Sequence, residues 1–255
     1  MIEPDAINPP IVQLVLTASF EPALDNLSII DLADLFRQFE NEFPIFQQVN
    51  RAGPMSVNPF DAQIDAGGMP RMMFASGDMD WQVAFQNDRL SMLWVRTKPL
   101  SEAPSYPGFT AVADRFSAAL DTFRAWLEDR GLTMPNPSIM EVAYVDAFPI
   151  YDVDAGRQLQ MSEIVKTINP TMKFPMTSLA HRWTEPLGEA YTGFALVEVT
   201  APIALNDGTM VLSFDTTIRI EANGSWSVLA GHLAYGHTVA LEIFDRVVNR
   251  NIGVI

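Results

Sequence analysis

Ile11-Val12-Gln13-Leu14-Val15-Leu16-Thr17-Ala18-Ser19-Phe20 and, 128 positions further on, Ile139-Met140-Glu141-Val142-Ala143-Tyr144-Val145-Asp146-Ala147-Phe148 decide the fold, because they read as one strand written twice. In the first stretch Val12, Leu14 and Leu16 alternate, while Ile11 and Val15 lie on the other side. That is the pattern of a strand covered on one face and partly on the other. The match starts upstream, with Asn8-Pro9-Pro10 over Asn136-Pro137-Ser138, and ends with Phe20 over Phe148. A helix candidate beginning at Pro107-Gly108-Phe109 falls, at the same offset, around Gly236-His237-Thr238. The chain is therefore expected to hold two pseudo-repeats, residues 1–131 and 132–255. The only candidate junction is Gly131-Leu132-Thr133-Met134-Pro135-Asn136-Pro137-Ser138, short enough for both halves to share one compact unit spanning 1–255.

Outward from strand one, Ser28 or Asn26 can cap a helix that carries Asp31 in its first turn. Leu32, Leu35, Phe36, Phe39 and Phe43 form its apolar stripe, and Pro44 ends it. Trp81, Val83 and Phe85 alternate, residues 86–89 turn, and Leu90, Met92 and Trp94 alternate again, which is a hairpin. Phe109, Val112, Phe116, Ala119, Phe123 and Leu127 mark a long amphipathic helix closed by Arg130 and Gly131.

The second half repeats the order: a helix around 158–168, strands at 193–200 and 210–221, and a last helix at 238–248. Asn223-Gly224, with Leu212, Phe214, Ile218 and Ile220 before it and Trp226 and Val228 after it, is the strongest short hairpin signal. Each half reads strand, helix, several antiparallel strands, long helix. The expected class is α+β: two βαβββα-like units forming an antiparallel sheet backed by long helices. The TATA-binding-protein saddle and the helix-grip folds share this order as architecture only.

A chain of 255 residues buries roughly 70–75% of its unfolded surface. With 48% hydrophobic and 18% charged residues it is neither disordered nor collagen-like, and no window approaches the roughly 18 unbroken apolar residues of a membrane helix. Cysteine is absent, which excludes disulfides, thiolate metal sites and cysteine nucleophiles. The opening Met1-Ile2-Glu3-Pro4-Asp5 is acidic and proline-broken, unlike a secretory signal, so a cytoplasmic protein is expected. Sixteen basic against 31 acidic residues give a net charge of -15, which opposes binding to nucleic acid or anionic membrane. Residues 1–127 and 128–255 hold eight bases each, and the bases form no run.

Asn8-Pro9-Pro10-Ile11-Val12, then Arg71-Met72-Met73-Phe74-Ala75-Ser76 leading to Gln86-Asn87-Asp88-Arg89-Leu90 and Trp94, then Tyr106-Pro107-Gly108-Phe109 and Glu141-Val142-Ala143-Tyr144, together resemble a sporadically distributed bacterial family with no assigned activity. The resemblance spans most of the chain but not residues 166–187. It implies a bacterial, full-length, single-unit protein and hands no catalytic role to any residue.

The residues that carry chemistry give no constellation. His232 and His237 are five apart without an intervening glutamate, so the paired-histidine zinc helix is missing, and Gly236 suggests that a helix starts between them. His181-Arg182-Trp183 with Glu185 offers a base and an orienting carboxylate, but no Gly-x-Ser-x-Gly elbow exists to complete a triad. Asp152, Asp154 and Glu163 imitate a calcium loop, with Arg157 where glycine must turn the chain. Gly67-Gly68 lacks the lysine of a phosphate loop. Trp81, Trp94 and Trp226 lie in phase with aliphatic residues and read as packing rather than a stacking platform.

The sequence thus points to a non-enzymatic interaction or regulatory protein, without catalytic residues, metal or cofactor, whose partner is another protein met through a sheet face free of helices. The alternative is a small-molecule binder or enzyme with a cleft between the halves, where Arg71, Arg89, Tyr144, His181 and Glu185 would converge. Oligomeric state is not legible. The charge makes one outcome testable: filter binding of duplex DNA at about 150 mM salt should give only baseline retention, weaker than the roughly 10⁻⁴–10⁻⁶ M of proteins with a basic patch. Micromolar binding with a steep salt slope would reveal a hidden basic strip.

Overall fold

The computed structural model describes residues 10–57, 69–100, 102, 106–152, 156–159, 161–166, 179–205 and 208–249. β1 (Ile11–Glu21) and β6 (Asn136–Pro149), the two expected strands, pair with each other antiparallel. Leu14 stands opposite Tyr144, Leu16 opposite Val142 and Thr17 opposite Glu141.

On one side of this pair the first half adds β2 (Ile45–Val49), β3 (Arg71–Ala75), β4 (Trp81–Gln86) and β5 (Arg89–Val95). On the other side the second half adds β9 (Leu179–Pro186), β10 (Gly193–Ala204) and β11 (Met210–Glu221). The result is one nine-stranded antiparallel sheet in the order β2-β3-β4-β5-β1-β6-β11-β10-β9. A small hairpin, β7 (Tyr151–Asp152) with β8 (Arg157–Gln158), stands apart from it.

The long helices α1 (Ile29–Phe39), α2 (Phe109–Glu128) and α4 (Leu229–Val247) pack on one face, and α3 (Met161–Ile164) is a single turn. Phe36 and Phe39 of α1 meet Phe74, Phe123 of α2 meets Phe20 and Phe85, and Phe244 of α4 meets Phe148 and Phe214. These strand residues are in phase with Leu14, Leu16, Val142 and Ile218, so the apolar core lies between sheet and helices. The molecule is thus mixed α and β with an antiparallel sheet. No helix among the described residues is long and apolar enough to cross a membrane.

Local chemistry explains most boundaries. Ser28 caps α1 in a capping box: its hydroxyl accepts from the Asp31 N–H at 3.3 Å, and the Asp31 carboxylate accepts from the Ser28 N–H at 2.8 Å. α1 ends at Phe39, so Phe43 leaves the helical stripe, yet it stays buried against the same core.

Four expectations change. The last helix starts at Leu229 rather than 238, because Gly236 is not a start but a contact: a Cβ there would come within 2.9 Å of Val142 Cγ2, so glycine lets α4 lie close on β6. Both His232 and His237 therefore belong to α4. Asn223 and Gly224 take positive φ, at 51° and 75°, as a tight hairpin requires, but the chain then enters a 3₁₀ turn and α4 instead of a strand. Trp226 in that turn donates its indole N–H to the Pro135 carbonyl at 2.9 Å, which holds it there. The helix expected around 158–168 is only the one-turn α3, and residues 167 and 168 lie outside the described residues. Strand β2 has no counterpart in the sequence reading; its burial does not alternate, so it carries no period-2 signal.

Trp94 and Phe116 are fully enclosed, at 1% and 0% exposure. Replacing either with alanine should cost about 3–5 kcal/mol of folding free energy in denaturant titrations. A change below about 1 kcal/mol would remove them from the core.

Candidate functional site

Two groups of polar side chains lie on opposite faces of the sheet. On the face that carries no helix among the described residues, the helix-free face, the register aligns Thr17 with Ser91 and Glu141, Ser19 with Arg89 and Ile139, and Arg89 with Gln86. Arg71 opens β3 in phase with Met73 and Ala75 on this same face. Buried hydroxyls tie the strands together: Thr17 bonds Ser91 at 2.9 Å, and Ser19 bonds Ser138 at 2.9 Å while accepting from the Ile139 N–H at 3.1 Å.

A strap of chain, residues 50–57, crosses this face. Ala52 exchanges two hydrogen bonds with the Gln86 amide, the Gly53 carbonyl accepts from Arg89 at 2.7 Å, and the Ser56 carbonyl accepts from Arg219 on β11 at 3.3 Å. Beneath and beside the strap the charges pair. Arg89 grips the Asp88 carboxylate with Nε and Nη2 at 3.0 and 2.9 Å, and Arg219 donates to Glu141 at 2.7 Å. Arg51 donates to Asn87 at 2.7 Å and to the Met69 carbonyl. Burial pushes the Asp88 carboxyl up, but the hydrogen bond and charge of Arg89, with Gln86 and Arg51, hold it below the usual range.

Arg71 differs. Its Nε is buried without a hydrogen-bond partner, and burial first, then the neighbouring Arg89, lower its pKa while Glu141 opposes. A hollow of about 540 Å³ is lined by Gln48, Val49, Asn50, Arg51 and Pro70. Val49 is the ladder partner of Arg71, and Pro70 precedes it in the chain.

The second group lies under the helices. Tyr144 Oη is 2.8 Å from His237 Nδ1 on α4, and the His237 ring stacks on Phe109 at the start of α2, with centroids 4.2 Å apart and planes 3° from parallel. Tyr106 reaches the same place: its ring meets Trp94, and its phenol acts on that of Tyr144. Burial raises Tyr106 to about 12, raises Tyr144 further and lowers His237. Two residues along β6 from Tyr144, Asp146 is buried, and burial with the nearby Asp215 carboxylate lifts its pKa to about 8. A carboxylic acid that stays protonated near neutrality donates a hydrogen bond instead of carrying charge.

The five residues expected to converge therefore separate. Arg71 and Arg89 are neighbours on the helix-free face. Tyr144 lies on the helix face at the centre of the sheet, and His181 and Glu185 lie on the edge strand β9. Glu185 is bound by Arg246 of α4 and by the Trp183 indole N–H, and the exposed His181 ring rests against Trp183.

Of the calcium-like loop, Arg157 binds both Glu163 oxygens, at 2.6 and 2.9 Å, while Asp154 and the Asp152 side chain lie outside the described residues. Gly67 and Gly68 also lie outside the described residues. Sequence reasoning missed the strap and the Tyr144–His237 contact; only the polar interruption Tyr144-Val145-Asp146 in an apolar strand signalled the latter. No protein-family model matches the chain, and the search of curated proteins gives no match.

Asp146 makes a pH test possible. Its folded pKa lies above its unfolded one, so the native state holds the extra proton and stability falls as pH rises from about 4 to about 8. Asp146→Asn should remove this slope, up to about 1.4 kcal/mol per pH unit, and gain on the wild type with rising pH. Urea titrations spanning acid to mildly alkaline pH check it; parallel wild-type and variant curves would refute it.

Proposed function

We propose that the protein is a non-enzymatic interaction protein that receives a protein partner on the helix-free face of its sheet, and that this face is shaped as a saddle by two pseudo-repeats, residues 1–131 and 132–255. Support for duplication comes from the strand order: moving out from β1 one meets β5, β4 and β3, and moving out from β6 one meets β11, β10 and β9. One long helix follows each set, α2 and α4.

One observation carries the functional reading, the unequal burial of the two sides. β4 and β5 are buried on both faces, whereas burial alternates along β10 and β11. The helix-free side chains of Ala143, Val145, Leu196, Glu198, Asp215 and Thr217 are half-exposed and mix small, apolar and charged groups. Protein interfaces have that mixed composition. A ligand or substrate cleft is the second reading, and the Tyr106–Tyr144–His237 group favours it.

The test is a photo-crosslinking residue placed at Leu196 or Thr217, with Leu241 on the outer side of α4 as control. In cells of the native host, adducts with one protein are expected at the first two positions and not at the third. Adducts at Leu241 alone, or a retained small molecule without any protein adduct, would replace this reading with the second.

A further inference from the structure

We propose that Arg71, with Arg89 beside it, forms a binding site for an oxyanion, a carboxylate or phosphate group that enters beside β2 under the edge of the strap. The site lies on the face assigned above to a protein partner, but its argument stands on charge alone.

Four guanidinium groups, Arg51, Arg71, Arg89 and Arg219, lie about two carboxylates, Asp88 and Glu141, beneath and beside the strap. Asp88 is taken by Arg89 through a two-bond grip, and Glu141 is taken by Arg219. Arg89 also donates to the Gly53 carbonyl. Arg71 is the cation without a close partner of its own: its buried Nε has no hydrogen-bond partner, and the carboxylate that attracts it, Glu141, is shared with Arg219. A guanidinium keeps its proton at neutral pH, so the group remains a half-buried charge.

A partly desolvated charge that must share its counter-charge is costly, and a second cation beside it raises the cost. The two charges that act on Arg71 oppose each other: Arg89 repels it, and Glu141, which attracts it, is already bound by Arg219. This arrangement gains stability when an external anion arrives. Planar guanidinium donors fit the two oxygens of a carboxylate or phosphate in a two-bond grip. A hollow of about 540 Å³ lies beside it: Arg71 is not in the lining, but its ladder partner Val49, its chain neighbour Pro70 and a further cation, Arg51, are.

The experiment uses the whole chain in thermal-shift and calorimetric titrations with sodium phosphate and sodium acetate, each against sodium chloride at equal ionic strength. The wild type should be stabilised by one or both anions beyond chloride, and Arg71→Gln should weaken that binding at least about tenfold. Arg71→Lys keeps the charge and loses the fork, so it should fold as the wild type does and bind with intermediate affinity. The exposed Arg37→Gln should change nothing.

A capped pentaglutamate peptide separates the two sources of the anion: displacement of phosphate or acetate by the peptide marks an acidic protein segment, and binding of the small anions alone marks a free metabolite. Equal responses to phosphate, acetate and chloride, or undiminished binding in a folded Arg71→Lys and Arg71→Gln pair, would overturn the proposal. Anion binding without crosslinks at Leu196 or Thr217 would retire the protein-partner reading and leave this site standing; crosslinks without anion binding would do the reverse.

Discussion

The antiparallel pairing of β1 with β6 is the contact on which the remainder depends. It joins the two halves of the chain across more than a hundred residues and places the apolar side chains of both strands on one face. A slip of one residue would turn Leu14 and Leu16 away from the helices and bring Thr17 and Ser19 into the core. Two features resist that slip. The ladder shifts register between Ser19 and Phe20, and the Ser19 hydroxyl is bonded to Ser138 and to the Ile139 backbone, which fit only the observed alignment. Once this pair is set, each half has an edge on which to add its own strands, and the helices close over the face those strands leave apolar.

The two faces solve different problems. Under the helices, aromatic contacts between Phe20, Phe85 and Phe123 and between Phe148, Phe214 and Phe244 supply the burial that stabilises the fold. The polar residues enclosed there are kept neutral by burial, which holds the proton on Asp146 and on Tyr144. On the opposite face the buried groups are charged and mostly paired, and the strap supplies backbone carbonyls where carboxylates run out. Arg71 breaks that pattern of satisfaction, and such a departure in an otherwise paired layer sets it apart from ordinary packing.

How much of this is legible in the sequence depends on the range of the interactions. The period-2 runs of β1, β6 and the β4–β5 hairpin, and the period-3.6 stripe of α2, are local patterns, and they can be read directly. Gly236 misleads because its reason is distant: it lets a helix rest on Val142, and nothing near it in the chain says so. Asn223-Gly224 has the local chemistry of a hairpin, and only the bond from Trp226 to Pro135 sets the path of the chain beyond it. In the site, Arg71 and Arg89 stand together because the starts of β3 and β5 flank the end of β4, whereas Tyr144, His181 and Glu185 share the helix face but lie strands apart on it. The strap is invisible in the sequence because backbone carbonyls, which carry no sequence signature, hold it down.

Among the described residues the nine-stranded sheet does not close on itself, which leaves two margins where hydrogen-bonding groups of the backbone face outward. One margin, β2, is only five residues long, and Gln47 and Gln48 lie within it. The other, β9, carries His181, Arg182 and Glu185 and ends on Pro186, which has no N–H to offer. Short length at one margin, and charge with proline at the other, discourage a foreign strand from extending the sheet, as natural sheets do to escape aggregation. Growth along the hydrogen-bonding direction is thereby opposed at both of these margins, by shortness at one and by charge and a missing donor at the other.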